Sequence, residues 1–134
     1  MRAQPVFAML ALALASASAS VCKAAPSSAV AQLDRFAAEA GRPGNIENGQ
    51  RFFVQKHGKE WACASCHGEM PVRDGRHAVT GKVLDPLAPA FNPKSMTDAA
   101  RVDKWFRRNC KDVLGRECSA AEKADVLAWL GSLK

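Results

Sequence analysis

Two cysteines and a histidine stand close together in the middle of the chain. Cys63, Cys66 and His67 form the sequence C-x-x-C-H, which is the attachment motif of a c-type haem. The spacing has a chemical reason, since two thiols add to the two vinyl groups of the porphyrin and the imidazole that follows is held beneath the iron. The motif predicts one covalently bound haem c with His67 as an iron ligand.

Other uses of this motif fit the rest of the sequence less well. A thioredoxin-like C-x-x-C requires a βαβ context, and a zinc site requires four ligands at matched spacings; neither pattern occurs. A plain disulfide within the motif would leave the aromatic residues with little to cover. The predicted haem contacts are therefore Phe52, Phe53, Leu87, Trp105 and Phe106.

The second iron ligand is less constrained by the motif. Met70 is three residues beyond His67 and cannot reach the opposite face of the ring. Met96 is a candidate, although a loop from His67 to this position is short for crossing the ring edge. His57 and His77 lie among polar residues, where an exposed side chain is the expected outcome.

Asn109 is the candidate with a distinctive setting. It shares a predicted helix face with Trp105 and Phe106, and an amide among buried aromatic rings needs a polar partner. That partner is either the iron, or else a backbone group or a haem propionate. The residues alone leave both interpretations open.

Cys110 and Cys118 remain after the haem has taken two thiols. They enclose seven residues, and in an oxidising compartment a disulfide is the default, contributing about 2.5 kcal/mol by loop closure. Two free thiols are the alternative.

The N-terminus predicts export. Arg2 precedes an apolar run of about ten residues from Val6 to Ala15, and Ala17-Ser18-Ala19 fits a small-x-small cleavage site. The run is too short for a bilayer of ~30 Å. We expect a signal peptide over residues 1–19, a linker and helix over 20–44, and a cytochrome c domain over 45–134. The role of Cys22 is not assigned.

The elements that must position these residues are helices. Apolar residues recur at helical spacing from Val30 to Ala40, where Gly41 ends the helix. Further helices are predicted to begin at N-caps Asn45, Thr97 and Ser119, the last within a capping box. Residues 68–96 contain four prolines and predict an irregular loop that wraps the haem. The fold class is all-α, with about four helices around one haem.

The length, charge and composition of the chain exclude several classes of function. The chain has 134 residues, a net charge of +6 and 48% hydrophobic residues, which suits one packed domain and excludes a large multi-step enzyme. No Ser-His-Asp set, paired carboxylates or phosphate-binding glycine loop stands out. We expect an electron-transfer or ligand-binding haem protein rather than an enzyme with its own acid–base machinery. We also expect it to be a monomer that does not bind nucleic acid.

Several segments resemble the sphaeroides haem protein (SHP) type of cytochrome c, which is related to cytochrome c double-prime. With C-x-x-C-H they cover residues 45–133. They are Thr80-Gly81-Lys82, Pro86-Leu87-Ala88-Pro89, Arg108-Asn109-Cys110, Gly115-Arg116-Glu117-Cys118 and Glu122-Lys123-Ala124-Asp125.

The resemblance implies a class I-like helical cytochrome fold and a redox-sensitive iron ligand. It makes Asn109, directly before the first cysteine of a disulfide, the second axial ligand. It further implies that this asparagine leaves the iron on reduction, so that ferrous haem binds oxygen or nitric oxide. A neutral amide oxygen is a hard, weak donor, which suits ferric better than ferrous iron.

Two functions follow from these expectations. One is a periplasmic carrier of single electrons. Its positive side chains at Lys104, Arg107, Arg108 and Lys111 either bind an acidic surface of a partner protein or form a solvated flank of the helix. The other is a binder or sensor of diatomic gases, or a small reductase. The resemblance suggests a dihaem cytochrome c and a membrane cytochrome b as partners.

Overall fold

Within residues 28–134, which this computed structural model describes, the chain forms five helices and one two-stranded hairpin. The predicted signal peptide and Cys22 lie outside the described residues. The helices are α1 (Ala29–Ala40), α2 (Ile46–Val54), α3 (Ala64–His67), α4 (Ala99–Leu114) and α5 (Ala120–Ser132). The strands β1 (Gly75–Arg76) and β2 (Val83–Leu84) pair antiparallel.

Two of the predicted helix starts are confirmed. The Asn45 side chain accepts a hydrogen bond from the N–H of Asn48 at 2.8 Å. At the start of α5, Ser119 and Glu122 form both hydrogen bonds of the capping box. These caps satisfy N–H groups that have no partner inside the helix.

The predicted start of α4 is wrong by one residue. The Asp98 carboxylate accepts from the N–H of Arg101 at 2.7 Å and is the N-cap. Thr97 instead donates its hydroxyl to the carbonyl of Lys94. A carboxylate next to the helix N-terminus is also favoured by the helix dipole.

The four predicted helices are present, and the structure adds one short helix and a hairpin. The additional helix is α3, a single turn formed by the C-x-x-C-H motif itself. The proline-rich stretch is mostly irregular as predicted, but it contains β1 and β2. Strands of two residues carry no readable alternation, so the sequence pattern could not indicate them.

Helix α5 is the centre of the packing, because both α1 and α2 lie against it. The closest approach is at Gly49 of α2, where an added Cβ would overlap the carbonyl group of Asp125. Only a residue without a side chain permits this distance between the two backbones.

The core consists of two clusters of buried side chains. The first contains Phe36, Val102, Ala124 and Leu127. The second contains Phe53, Val126, Trp129 and Leu130. Met96 and Phe106 pack against both clusters and so connect them.

Helix α4 is fastened to α1 by one aromatic contact and one ion pair. The rings of Phe36 and Phe106 meet edge to face with centroids 5.8 Å apart. Arg35 and Asp103 form an ion pair at 2.8 Å. These contacts fix the rotation of α4 and therefore the direction in which its other face points. Among the described residues, no helix is long and apolar enough to cross a membrane.

A buried carboxylate holds the segment between α1 and α2 on α5. Asp125 is 5% exposed and accepts two hydrogen bonds from the Arg42 guanidinium, each 2.8 Å long. It also accepts one from the N–H of Asn45 at 2.7 Å. The hydrogen bonds from Arg42 lower the pKa of Asp125 below its ordinary value. An ionised carboxylate is buried at acceptable cost only when it is paired in this way.

We expect Asp125→Asn to lower the free energy of unfolding at neutral pH by about 2 kcal/mol, because a charged hydrogen-bonded pair is lost. The folded-state pKa of Asp125 lies below its ordinary value of 3.8. The contribution is therefore complete above that ordinary value and is lost as the pH falls through the folded-state pKa. Urea unfolding at neutral and acidic pH measures the difference.

Asp34→Asn is the control, because Asp34 lies exposed on α1. The difference in the free energy of unfolding between the natural chain and Asp125→Asn should become smaller in acid, whereas Asp34→Asn should have the same free energy of unfolding as the natural chain. A difference for Asp125→Asn that stays constant across the pH range would contradict this account.

Candidate haem-attachment site

The motif Cys63-x-x-Cys66-His67 is wound into one helical turn. The N–H groups of Cys66 and His67 both donate to the carbonyl of Cys63, at 3.3 and 3.1 Å. Ser65 steadies the entry to this turn by accepting a hydrogen bond from the N–H of Ala62 at 2.9 Å. Residues three apart in a helical turn lie on the same side, so the two cysteines have the arrangement that attachment to one flat ring requires. Neither cysteine is joined to another cysteine of the described residues.

The environment of the motif favours neutral side chains. Burial raises the pKa of Cys63 to about 11. Burial also lowers the pKa of His67, with a smaller contribution from the nearby His77. His67 is therefore a neutral imidazole at neutral pH, which is the form that can bind a metal.

The His67 ring has an unused polar atom. Its Nδ1 is buried and has no hydrogen-bond partner among the described residues. Two thiols on one side of a turn, a neutral imidazole beside them and an apolar wall behind them are what a c-type haem needs, so these residues fit the group. Among the described residues, no group of three or more His, Cys, Asp or Glu side chains is arranged to hold a metal ion directly.

The apolar wall beside the motif comes from α2, α4 and α5. Phe53 is 2% exposed, and its ring centroid lies 6.2 Å from that of His67 and 5.0 Å from that of Trp129. Cys63, Leu87 and Phe106 pack against the same cluster. Three predicted haem contacts, namely Phe53, Leu87 and Phe106, therefore lie around the motif.

The remaining two predicted contacts are placed differently. Phe52 packs on the edge of the Phe53 cluster. Its ring centroid lies 4.4 Å from that of His57, and the Nε2 atom of His57 forms a 2.8 Å hydrogen bond with the carbonyl oxygen of Phe52. His57 is thus half-buried at the end of α2 rather than exposed. Trp105 is 45% exposed and lies outside both core clusters.

Asn109 is half-buried on α4, one turn beyond Phe106. Its side-chain amide forms no hydrogen bond with any residue that the structure describes, so the backbone-cap interpretation is not realised. Directly after it, the sulfur atoms of Cys110 and Cys118 lie at bonding distance, with Cα atoms 5.6 Å apart. Both cysteines are buried.

The two methionines differ in their setting. Met70 is exposed. Met96 lies between the two core clusters and has a positive φ of 58°, a backbone region that residues other than glycine seldom adopt.

The hairpin β1–β2 covers the other side of the motif, and sequence reasoning missed it. An added Cβ at Gly75 would overlap the carbonyl of Cys66. The N–H of Ala78 donates to Cys66 Sγ at 3.3 Å. His77 holds the turn, because its Nδ1 accepts from the N–H groups of the two residues Val79 and Thr80, at 3.3 and 3.2 Å.

Pro71 was also missed. It is fully buried, and its carbonyl accepts from the N–H groups of Leu87 and Ala88, both at 3.1 Å. These hydrogen bonds fold the proline-rich segment back, so that Leu87 reaches the core. The sequence does contain a signal for this fold-back, because the turn-forming residues Pro71 and Gly75 follow shortly after the motif and indicate that the chain reverses its direction.

Comparisons with known proteins identify the family of the chain. Residues 39–130 match a family model described as a domain of unknown function, DUF1924. The chain is 46% identical over 101 residues to the cytochrome c-type protein SHP of Cereibacter sphaeroides, covering 72% of this chain and 78% of that protein. It is 46% identical over 90 residues to cytochrome c'' of Methylophilus methylotrophus, covering 64% and 62%.

Solved structures give the same result. A structure described as oxidized SHP, an oxygen binding cytochrome c, matches with a TM-score of 0.74 and 42% identity over 79% of this chain and 97% of that one. Oxidized cytochrome c'' from Methylophilus methylotrophus matches with a TM-score of 0.71 and 37% identity, over 79% and 94%. The chain belongs to the SHP family of c-type cytochromes, has its all-α fold and carries a covalently bound haem c.

The role of His77 in the hairpin can be tested by two substitutions. His77→Ala removes the acceptor of two N–H groups, and we expect the unfolding free energy of the haem-loaded protein to fall by about 1 kcal/mol. His77→Asn keeps a side-chain acceptor at the turn and should recover most of this loss. Denaturant unfolding measures both variants, and equal losses in the two would show that the acceptor is not what matters.

Proposed function

We propose that this monohaem cytochrome c is an exported, periplasmic carrier of single electrons with a weak, exchangeable iron ligand at Asn109. The haem supplies one-electron redox chemistry and, where one coordination position is free, affinity for a small diatomic molecule. The observation that carries the proposal is an asparagine amide without a hydrogen-bond partner among the described residues, placed directly before Cys110 and one turn beyond Phe106, which packs against the same cluster as Cys63.

The proposed roles of the motif residues follow from their chemistry. Cys63 and Cys66 would hold the ring through two thioether links, and His67 would be the strong ligand of its iron. The burial that keeps the His67 imidazole neutral supports this role, since a metal ligand must not be protonated. Phe53, Leu87 and Phe106 exclude water from the ring.

Asn109 is proposed as the second axial ligand. Its amide has no hydrogen-bond partner among the described residues, so no hydrogen bond to these residues has to break when it binds or leaves. A neutral amide oxygen is a weaker ligand for ferrous than for ferric iron. Asn109 is therefore expected to leave on reduction, and O₂ or NO then has access.

The Cys110–Cys118 link supports this role for Asn109. It joins the end of α4 to the start of α5, so the backbone of Asn109 is held while its side chain moves. A covalent link of this kind fits an exported protein, which agrees with the predicted signal peptide.

A second function remains open for the same site, namely binding or sensing of a diatomic gas, or its reduction. The relative SHP is described as an oxygen binding cytochrome c, and this favours the second candidate. Proposed redox partners are other haem proteins, a dihaem cytochrome c and a membrane cytochrome b. If a bound gas leaves the electron-transfer rate unchanged, the carrier is favoured.

The ligand role of Asn109 is testable with Asn109→Ala. We expect the reduced natural protein to bind carbon monoxide. The oxidised variant, which lacks the competing amide, should bind added imidazole about tenfold more tightly than the oxidised natural protein. Visible absorption spectra follow both reactions.

Met96→Leu is the matched control, because it replaces the other candidate ligand with a side chain of similar volume. It should leave imidazole binding unchanged. Reduced natural protein that stays six-coordinate and does not react with carbon monoxide would disprove the proposal, as would a Met96→Leu effect equal to that of Asn109→Ala.

A further inference from the structure

Helix α4 carries a row of positive side chains on its outer surface. The row consists of Arg101, Lys104, Arg108 and Lys111, spaced three or four residues apart, so its members lie along one side of the helix. All four are exposed. We call this row the basic stripe, and a fifth cation, Arg107, lies beside it.

No member of the basic stripe forms an ion pair with an acidic side chain among the described residues. Of the acidic residues of α4, Asp103 pairs with Arg35 on α1, and Asp112 lines a groove with Lys59 and Glu60. Like charges three or four residues apart destabilise a helix. The stripe therefore opposes the folding of α4 slightly.

An exposed aromatic ring borders the basic stripe. The cationic groups of Lys104 and Arg108 lie over the Trp105 ring, each 5.7 Å from its centroid. Arg101, Lys104 and Trp105 line a shallow groove at this place. An indole beside arginine is typical of the residues that dominate protein–protein binding.

The stripe borders the face of the helix that carries the candidate iron ligand. Trp105 precedes Asn109 by four residues, so the two lie on the same side of α4, one turn apart. A partner seated on the basic stripe would therefore lie next to the side of α4 that carries Asn109.

We propose that the basic stripe and Trp105 form the docking surface for an acidic redox protein, whose carboxylates lie against Arg101, Lys104, Arg108 and Lys111. The proposal rests on the electron-carrier function proposed above. Charge complementarity supports it, since opposite charges steer two proteins together and fix their orientation while a weak contact still releases quickly.

The test measures electron transfer from the reduced, haem-loaded protein to two oxidants of opposite charge. In one reaction an electron passes to the Cu(II) of an acidic plant plastocyanin and gives Cu(I). In the other it passes to tris(phenanthroline)cobalt(III) and gives cobalt(II). In both, the cytochrome is left oxidised by one electron.

The variant is Lys104→Glu with Arg108→Glu. At low salt its rate with plastocyanin should fall about tenfold or more, and its rate with the cobalt cation should rise. Both differences should shrink as salt is added, because the charges are exposed. Lys56→Glu with Lys134→Glu changes the net charge equally at exposed positions off α4 and should stay within about twofold of the natural protein.

The outcomes separate this inference from the function on which it rests. If the natural protein transfers electrons to neither oxidant, the carrier function fails. If electrons are transferred but the two double variants behave alike, the docking surface is wrong. Loss of binding to anionic phospholipid vesicles or to DNA in the stripe variant alone, with an unchanged plastocyanin rate, would also overturn the proposal.

Discussion

The close approach of α2 to α5 is the constraint on which the site depends. Gly49 allows the two helix backbones to touch where α5 presents Asp125, and the same carboxylate holds the chain that leads into α2. This contact sets Phe53 against Trp129 and beside His67. The wall behind the haem-attachment turn is therefore a consequence of the packing of α2 on α5.

The two sides of the attachment turn are built by different forces. On one side, α3 rests on large apolar side chains, where burial dominates. On the other side, the hairpin is held by directional contacts, in which Ala78 donates to Cys66 and His77 accepts from its own turn. The first side covers the motif with apolar side chains, and the second side holds the sulfur atom of Cys66 in place.

Much of this arrangement can be predicted from the sequence, and the features that cannot be predicted have physical reasons. The C-x-x-C-H motif and the Asn45 and Ser119 caps are local signals whose chemistry depends on neighbours within a few residues. Trp105 could not be placed from the apolar face of α4, because a ring flanked by cations is stable at the surface. The hairpin and the role of His77 depend on contacts between segments, and the spacing of apolar residues along the sequence does not indicate such contacts.

The Cys110–Cys118 link has a consequence for biosynthesis. Within the described residues the chain holds four cysteines, and four cysteines allow three pairings. Two of these pairings join a motif cysteine to Cys110 or Cys118 and so block its attachment to the porphyrin. A bond between Cys110 and Cys118 withdraws the two competing thiols, so that Cys63 and Cys66 alone remain for the ring.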